Sequence, residues 1–399
     1  MVKPMRKNIV NKSLFFLALI FILCTCNRDP VFFNISEEVK LLEPQIKGVP
    51  TNFVIYDGRM YVASGNNLFV YNKGTDQAYW DKEAQPGGNI LQIAATGGYL
   101  YALCSTNQNN DGKTVVKMFD KANSSWSQIG GILDDYVKLQ NIFAAGDILF
   151  VLATVSVSNY NYTILYIKNN TLDVLKIINN DNYNDTGEIN GAAFDGESYF
   201  LSTKDRGVYR IDDPGEGALL IKYKNTDGSD VNINFSGIIN LQDDVQTIFL
   251  IARNGDVYTV KDIITKTENV SMGGFRATGA LAIWRENDQP SSNRLLLAGR
   301  QDSLRYSDSG YTYGYLEIEL DINGIKSGKN FVEPGREPLS TVRQGENGHY
   351  KNTIGKYPVN YLMQVPSEID GEMILFASTQ KNGVWSYRDR NGNFQWNAE

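Results

Sequence analysis

The sequence has 399 residues, of which 42% are hydrophobic and 21% are charged, and this balance excludes a chain that is disordered throughout. The formal net charge of −7 and the isoelectric point near 5.1 argue against nucleic-acid binding, because phosphate recognition needs clustered lysine and arginine. One histidine and three cysteines exclude a histidine-rich zinc centre and a framework of disulfides. We therefore predict no metal, no cofactor and no nucleic-acid partner.

Residues 1–26 have the pattern of a secretion signal. A basic segment containing Lys3 and Arg6 precedes an apolar run of about ten residues, which begins at Leu14 and ends at Leu23. Such a run is too short to remain in a bilayer as a spanning helix. The sequence therefore predicts export of the remaining chain, with residues 27–49 as a tether and residues 50–399 as one domain.

The end of the signal, Leu23-Cys24-Thr25-Cys26, resembles a bacterial lipobox, in which leucine stands three residues before a cysteine that becomes acylated. Cys26 fits that role, although Thr25 stands where glycine, alanine or serine is usual. The resemblance implies palmitate on Cys26 and an anchor in the inner or outer membrane of a cell envelope, with the protein facing the periplasm or the cell surface. Secretion without a lipid is the alternative.

The segment from Asn52 to Trp80 predicts one four-stranded antiparallel meander. Short runs of aromatic and β-branched residues are separated by Asp57-Gly58, Asn66-Asn67 and a third polar turn. A sheet this small cannot bury its apolar faces alone, so we searched the chain for further copies.

The pattern recurs, with first turns at residues 57, 97, 146, 195, 243, 288 and 370. The first six turns are 40 to 49 residues apart, which is the length of a propeller blade, whereas the last gap is 82 residues. Because residues 325–360 are rich in glycine, proline and charge, an insertion explains the long gap better than a hidden blade. We predict an all-β fold, a seven-bladed β-propeller of four-stranded antiparallel blades, with six or eight blades as alternatives.

In the sixth copy, LRYSDSG is the predicted third strand and YTYGYLEIELD follows it. The first and last copies each look complete, so either the chain ends meet by packing alone or part of 37–48 adds an outer strand.

These turns, together with the C-terminal segment NGVWSYRDRNGNFQWNAE, resemble bacterial β-propeller lipoproteins of the loosely defined kelch, YVTN and quinoprotein-like kind. The composition, rich in asparagine, lysine and isoleucine, is similar to that of spirochaetal examples. The resemblance covers 52–399 and carries no motif of a single subfamily. It implies fold and envelope location, and little about activity.

Two functional classes follow. The first is a non-catalytic, monomeric scaffold that binds a protein or a glycan. The alternative is a propeller hydrolase or lyase acting on carbohydrate, which would need carboxylates or arginines that converge at the central channel. Asp308–Tyr313 resembles the Asp box of sialidase-like propellers, which is a structural hairpin. The resemblance to sialidases implies three arginines that converge on the substrate, and the candidates are Arg253, Arg276, Arg294 and Arg300.

The insertion is the candidate binding loop, because loops held by a rigid repeat fold carry function and this one interrupts the spacing. It contains aromatic and arginine side chains of the kind that dominate binding energies. The candidate binding residues are Phe331, Arg336, Arg343, His349, Tyr350 and Tyr357. We assign no catalytic residue. The segments NDNYNDTGE and NTDGSD, at 180–188 and 225–230, are interpreted as polar hairpins in preference to calcium sites.

Overall fold

The computed structural model describes residues 45–72, 79–106, 113–156, 161–169, 171–178, 186–241, 247–267, 275–285, 294–302, 314–321, 324–325, 343–344, 349–350, 357–366, 373–390 and 393–399. The chain divides into the units Met1–Glu43 and Pro44–Glu399, and all described residues belong to the second. The predicted lipid site, Cys26, therefore lies outside the described residues.

Seven antiparallel sheets follow one another along the chain, six of four strands and one of five. We call them the first to the seventh blade. The strands of the first three blades are β1 (Val54–Tyr56), β2 (Arg59–Ser64), β3 (Asn67–Asn72), β4 (Tyr79–Lys82), β5 (Asn89–Ala95), β6 (Leu100–Ser105), β7 (Thr114–Asp120), β8 (Ser125–Gln128), β9 (Lys138–Ala145), β10 (Ile148–Ser156), β11 (Asn161–Lys168) and β12 (Thr171–Val174). A short 3-10 helix, Gly131–Asp135, precedes the third blade.

The fourth and fifth blades, with a small hairpin between them, comprise β13 (Ile177–Ile178), β14 (Ile189–Phe194), β15 (Tyr199–Thr203), β16 (Val208–Ile211), β17 (Ala218–Ile221), β18 (Tyr223–Lys224), β19 (Asp230–Val231), β20 (Phe235–Asn240), β21 (Ile248–Ala252), β22 (Val257–Val260) and β23 (Ile264–Lys266). The remaining strands are β24 (Phe275–Arg285), β25 (Arg294–Asp302), β26 (Tyr315–Asp321), β27 (Gly324–Ile325), β28 (Arg343–Gln344), β29 (His349–Tyr350), β30 (Val359–Pro366), β31 (Met373–Thr379), β32 (Val384–Arg390) and β33 (Asn393–Ala398). β13 is the fifth strand of the fourth blade and pairs in parallel with β17.

The prediction of seven blades is confirmed, and so is its local basis in the turns. Asp57 and Gly58 both have positive φ, at 51° and 72°, as a two-residue hairpin turn requires. The turn sets the register of β1 against β2, in which Tyr56 faces Arg59. Between the sixth and seventh blades, the described residues include the two-residue strands β28 and β29. The insertion at 325–360 stays a prediction.

The sixth blade differs from the prediction in its outer strands. The sequence suggested LRYSDSG as the third strand, whereas β26 takes that position and β27 is the fourth strand. β26 aligns Leu320 with Arg294 and Tyr315 with Gly299, so it pairs with β25 along most of its length. Both segments have β-forming residues, and the longer apolar alternation of β26 decides the pairing. The Asp-box-like segment, Asp308–Tyr313, lies outside the described residues.

The core consists of side chains packed between neighbouring blades. Each of the six buried clusters among the described residues combines side chains from adjacent blades, and one of them joins the first blade to the seventh. This packing explains why every residue of β6, β15 and β21 is buried, since both faces of a second strand are covered. The described parts of the blades therefore form a closed ring in which each blade packs its apolar side chains against its neighbours.

The ring closes through residues 45–50, which we call the closing strap. Ile46 donates its N–H to the carbonyl oxygen of Glu399 at 2.9 Å, and Ser378 donates its hydroxyl to the carbonyl oxygen of Pro50 at 2.9 Å. Isolated bridges join Gly48 to Asn382 and Pro50 to Ser64. The sequence left open whether the ends meet by packing or through an added strand. The structure combines interblade packing with this strap, which forms single bridges only.

Cys104 lies in β6, in the cluster between the first and second blades, and is 1% exposed. Burial raises the pKa of its thiol to about 11, because the apolar surroundings disfavour the thiolate. Cys104 is therefore an unreactive thiol of the core in the folded protein.

We predict that Ile46→Ala weakens closure of the ring. Ile46 is fully buried between the first and seventh blades, so its truncation leaves a cavity and should lower the free energy of unfolding by about 2–5 kcal/mol. Val49→Ala, in the same strap but 56% exposed, is the control and should stay within about 0.5 kcal/mol of wild type. Urea unfolding followed by tryptophan fluorescence measures both, and equal effects would contradict the role given to the strap.

We also predict that Cys104 reacts only when the fold opens. A thiol reagent at pH 8 should label native protein at the rate of unfolding, because the thiol is both inaccessible and protonated at that pH. Adding urea to the transition midpoint should accelerate labelling in parallel with the unfolded fraction. Rapid labelling of the native protein at the rate of a free thiol would show that the pocket around Cys104 is open.

Candidate functional site at the channel mouth

The first strand of each blade is the innermost, and these strands begin at one end of the central channel, which we call the mouth. Six of them, β5, β9, β14, β20, β24 and β30, have a register shift close to their first residues. A bulge of this kind adds a residue that the neighbouring strand does not pair, and it turns that side chain away from the sheet. Leu91, Asn190, Ser236 and Asn360 lie at such positions and line the mouth.

The mouth is a cavity of about 900 Å³ whose wall is rich in side-chain amides. The amides that line it are Asn66, Asn67, Asn89, Gln92, Asn141, Asn190 and Asn360. Each amide carries both donors and an acceptor, so the wall suits a ligand with many hydroxyl or peptide groups more than it suits a purely apolar one.

Some of these amides hold the blades together. Gln92 accepts a hydrogen bond at 2.9 Å from the backbone N–H of Ile142 in the next blade. Asn190 donates to the carbonyl oxygen of Phe235 in the fifth blade and accepts from the hydroxyl of Ser202 at 2.6 Å. Their orientation is therefore fixed before any ligand arrives.

Asn141 and Asn360 have no side-chain hydrogen bond to another described residue. They line the same cavity as Tyr361, which is 36% exposed. Desolvation by the surrounding protein raises the pKa of Tyr361, so its hydroxyl remains protonated at neutral pH. These three side chains thus offer neutral donors, neutral acceptors and one aromatic ring to the cavity.

Charge is sparse at the mouth. Among its described lining residues, Glu188 is the carboxylate and Lys47 is the cation. Glu188 accepts from Lys204 Nζ at 2.9 Å, and this hydrogen bond raises the pKa of Lys204. In the part of the chain that the structure describes, no group of three or more histidine, cysteine, aspartate or glutamate side chains could hold a metal ion.

The four arginines considered for a converging site do not all meet. Arg253 and Arg276 line one groove, of about 510 Å³, at the fifth and sixth blades. Arg294 lies opposite Arg285, at the far end of β24 from Arg276. Arg276 and Arg285 are nine residues apart in this strand, which corresponds to roughly 30 Å. The side chain of Arg300 lies outside the described structure.

The candidate loop residues are described in part. Phe331 and Arg336 lie outside the described residues, whereas the backbones of Arg343 and Tyr350 face each other in the β28–β29 pair, beside His349. Tyr357 is half-buried, with its ring centroid 5.9 Å from that of Trp385. A binding role for the six residues stays a prediction.

The two polar segments considered for calcium have different outcomes. Most of the first segment lies outside the described residues, apart from 186–188. The second is the turn of the β18–β19 hairpin, where Asp227 accepts from the N–H and the hydroxyl of Ser229 at 2.9 and 2.6 Å. These hydrogen bonds lower the pKa of Asp227. The interpretation of this segment as a polar hairpin is confirmed.

The amide-rich mouth is the part of the site that sequence reasoning missed. Its signal is a polar residue directly after a buried residue at the start of an inner strand, as in Ile189-Asn190, Phe235-Ser236 and Val359-Asn360. These polar residues indicate a shared cavity only when the inner strands of the blades are aligned with one another.

Comparison with known proteins supports the fold. No family model matches the chain, and no curated protein matches it. Among solved structures, it is similar to YCF48 from Cyanidioschyzon merolae, with a TM-score of 0.52, 12% identity, and coverage of 86% of this chain and 96% of that one. A chain of a mitotic checkpoint complex has a TM-score of 0.51 and 12% identity, with 86% and 90% covered.

The extracellular domain of BT4673 from B. thetaiotaomicron has a TM-score of 0.50 and 13% identity, over 88% of this chain and 40% of that one. Identities this low show similarity of fold alone. In the described residues, moreover, no helix has the length and apolar character needed to cross a membrane. Structure and comparisons together indicate a β-propeller, and the structure shows that it has seven blades.

Proposed function

We propose that the protein is a non-catalytic scaffold of the bacterial cell envelope and that its channel mouth binds a glycan. The observation that carries this proposal is the set of free polar groups on Asn141, Asn360 and Tyr361 within one cavity of about 900 Å³. Saccharide hydroxyls donate and accept, as side-chain amides do, and the Tyr361 ring offers a flat apolar surface for the carbon face of a sugar.

The sparse charge at the mouth favours binding over hydrolysis. Hydrolysis of a glycosidic bond uses two carboxyl groups about 5–9.5 Å apart, one on each side of the bond. The described part of the mouth contributes Glu188, and that carboxylate is held by Lys204 at 2.9 Å. A carbohydrate hydrolase or lyase remains the second candidate, and release of new reducing ends from a bound oligosaccharide would identify it.

The envelope location rests on the sequence pattern at Cys26. A bacterial extracellular domain with the same fold, that of BT4673, is compatible with a propeller that displays a binding surface outside the cytoplasm. An acyl chain contributes roughly 0.8 kcal/mol per buried methylene, so the lipids on Cys26 would hold the propeller at the membrane surface while the mouth stays in water. We propose that it functions as a monomer.

We predict that neutral oligosaccharides bind at the mouth. After a screen of neutral oligosaccharides, calorimetry with the best binder should show about a tenfold loss of affinity for Asn360→Ala and for Tyr361→Ala, because each loses contacts with the sugar. Tyr361→Phe should keep the ring contact and lose less. Asn123→Ala, an exposed change in the turn between β7 and β8, is the control.

Two results would contradict this prediction. One is that the Tyr361→Ala variant and the Asn360→Ala variant both bind the oligosaccharide with wild-type affinity, which would place the ligand elsewhere. The other is release of new reducing ends from the bound oligosaccharide by wild-type protein, which would identify a hydrolase.

We predict that Cys26→Ser releases the protein from the membrane. Without the acylated thiol the mature chain should move into the soluble envelope fraction and incorporate no labelled palmitate. Cys24→Ser, two residues earlier, is the matched control and should stay membrane-bound and labelled. Loss of labelling in Cys24→Ser alone would place the lipid on the other cysteine.

A further inference from the structure

The groove lined by Arg253 and Arg276 has a character unlike that of the mouth. Its other lining residues are Asn232, Ile233, Asn234, Ala252 and Asn254. Two guanidinium groups and three amides thus surround a cavity of about 510 Å³ in a protein whose formal net charge is −7. Concentrated positive charge on an acidic protein attracts anionic ligands to one place on the surface.

Neither arginine has an ion-pair partner among the described residues. Two carboxylates close in sequence to the groove residues are already engaged: Asp230 lies 3.7 Å from Lys222 Nζ, and Asp256 lies 2.7 Å from Lys266 Nζ. The two guanidinium groups are therefore available to a ligand, and a guanidinium binds a carboxylate through two parallel hydrogen bonds.

The backbone that carries Arg253 is held from both sides. Its N–H donates to the carbonyl oxygen of Asn234 at 2.8 Å, and its own carbonyl oxygen accepts from the N–H of Ala277 at 3.1 Å. The turn that follows is tightened by the N–H of Gly255, which donates to the carbonyl oxygen of Ala252 at 2.8 Å. Because three segments are joined in this way, the groove exists before a ligand binds, which lowers the entropy cost of binding.

The groove adjoins the mouth. Asn234 and Arg276 stand two residues before Ser236 and Thr278, and both of those residues line the mouth. Two residues of extended chain span roughly 7 Å, so one ligand can reach both places.

We propose that this groove binds the carboxylate of an acidic saccharide whose neighbouring unit occupies the mouth. The inference rests on the proposed function, because it assigns the mouth to a saccharide, but the groove adds the charge of the ligand. Arg253 and Arg276 pair with the carboxylate, and the amides of Asn232 and Asn234 contact the adjoining hydroxyl groups.

The test compares tetragalacturonate with its fully methyl-esterified form, which has the same chain without negative charge. Calorimetry should show wild-type protein binding the acid at least about tenfold more tightly than the ester. The double variant Arg253→Gln, Arg276→Gln should bind both forms with the affinity that wild type has for the ester. Raising the salt concentration should weaken binding of the acid and leave the ester unchanged.

Arg59→Gln is the control, since it removes an exposed arginine at the start of β2 in the first blade. It should keep the preference for the acid. A double variant that also keeps this preference would overturn the proposal, and so would an Arg59→Gln variant that loses the preference as completely, because net charge alone would then explain the binding.

Two further arms separate the possible failures. If tetraglutamate binds as tightly as tetragalacturonate with the same arginine dependence, the groove recognises an acidic peptide and the saccharide assignment is wrong. If the acid binds through the arginines while the ester does not bind and Tyr361→Ala has no effect, the proposal for the mouth fails and carboxylate recognition by the groove stands.

Discussion

Each blade of this protein has two apolar faces, and the contact between neighbouring blades is the interaction on which the whole structure depends. The fully buried strands β6, β15 and β21 lie in the middle of their blades, where water would otherwise reach both faces. Lateral packing removes that exposure for every blade only if the first meets the seventh. Phe376 shows how this contact is made, with ring centroids 5.0 Å from Tyr71 and 5.8 Å from Trp80 of the first blade.

Near the axis, hydrogen bonds from side-chain amides join neighbouring blades. Asn52 pairs with both backbone groups of Ile93 in the next blade, donating at 2.6 Å and accepting at 3.1 Å. Gln364 pairs in the same way with Arg285, with both distances at 2.7 Å. An amide can replace a peptide group in this geometry, so it satisfies the backbone groups on the side of an innermost strand that no further strand pairs. At the mouth, Gln92 and Asn190 have the same interblade role, whereas Asn141 and Asn360 line the cavity without such a bond to another described residue.

The local features of the fold could be predicted from the sequence, because they depend on neighbouring residues. The Asp57-Gly58 turn and the apolar alternation of the strands are of this kind, and their spacing gave the number of blades. The site could be predicted only in part, since Asn141 and Asn360 are more than 200 residues apart and meet through ring closure. The prediction for the third strand of the sixth blade was wrong because two β-forming segments could pair with β25.

The mouth differs from one side to the other, because the inner strands do not approach each other equally. In the fourth and fifth blades, Gly191 and Gly237 lack a side chain where the next inner strand comes close, and a Cβ atom on Gly237 would lie 2.7 Å from the carbonyl oxygen of Gly279. The mouth residues beside the groove of Arg253 and Arg276 are small ones, Ser236, Thr278 and Gly279. In the seventh blade, Tyr361 contributes a ring to the same cavity. A ring of identical blades would have no preferred direction for a ligand, whereas here the flat apolar surface and the positive charge lie at different positions around the axis. On the proposed function, this asymmetry orients the saccharide, with a sugar face toward Tyr361 and the charged end toward the fifth and sixth blades.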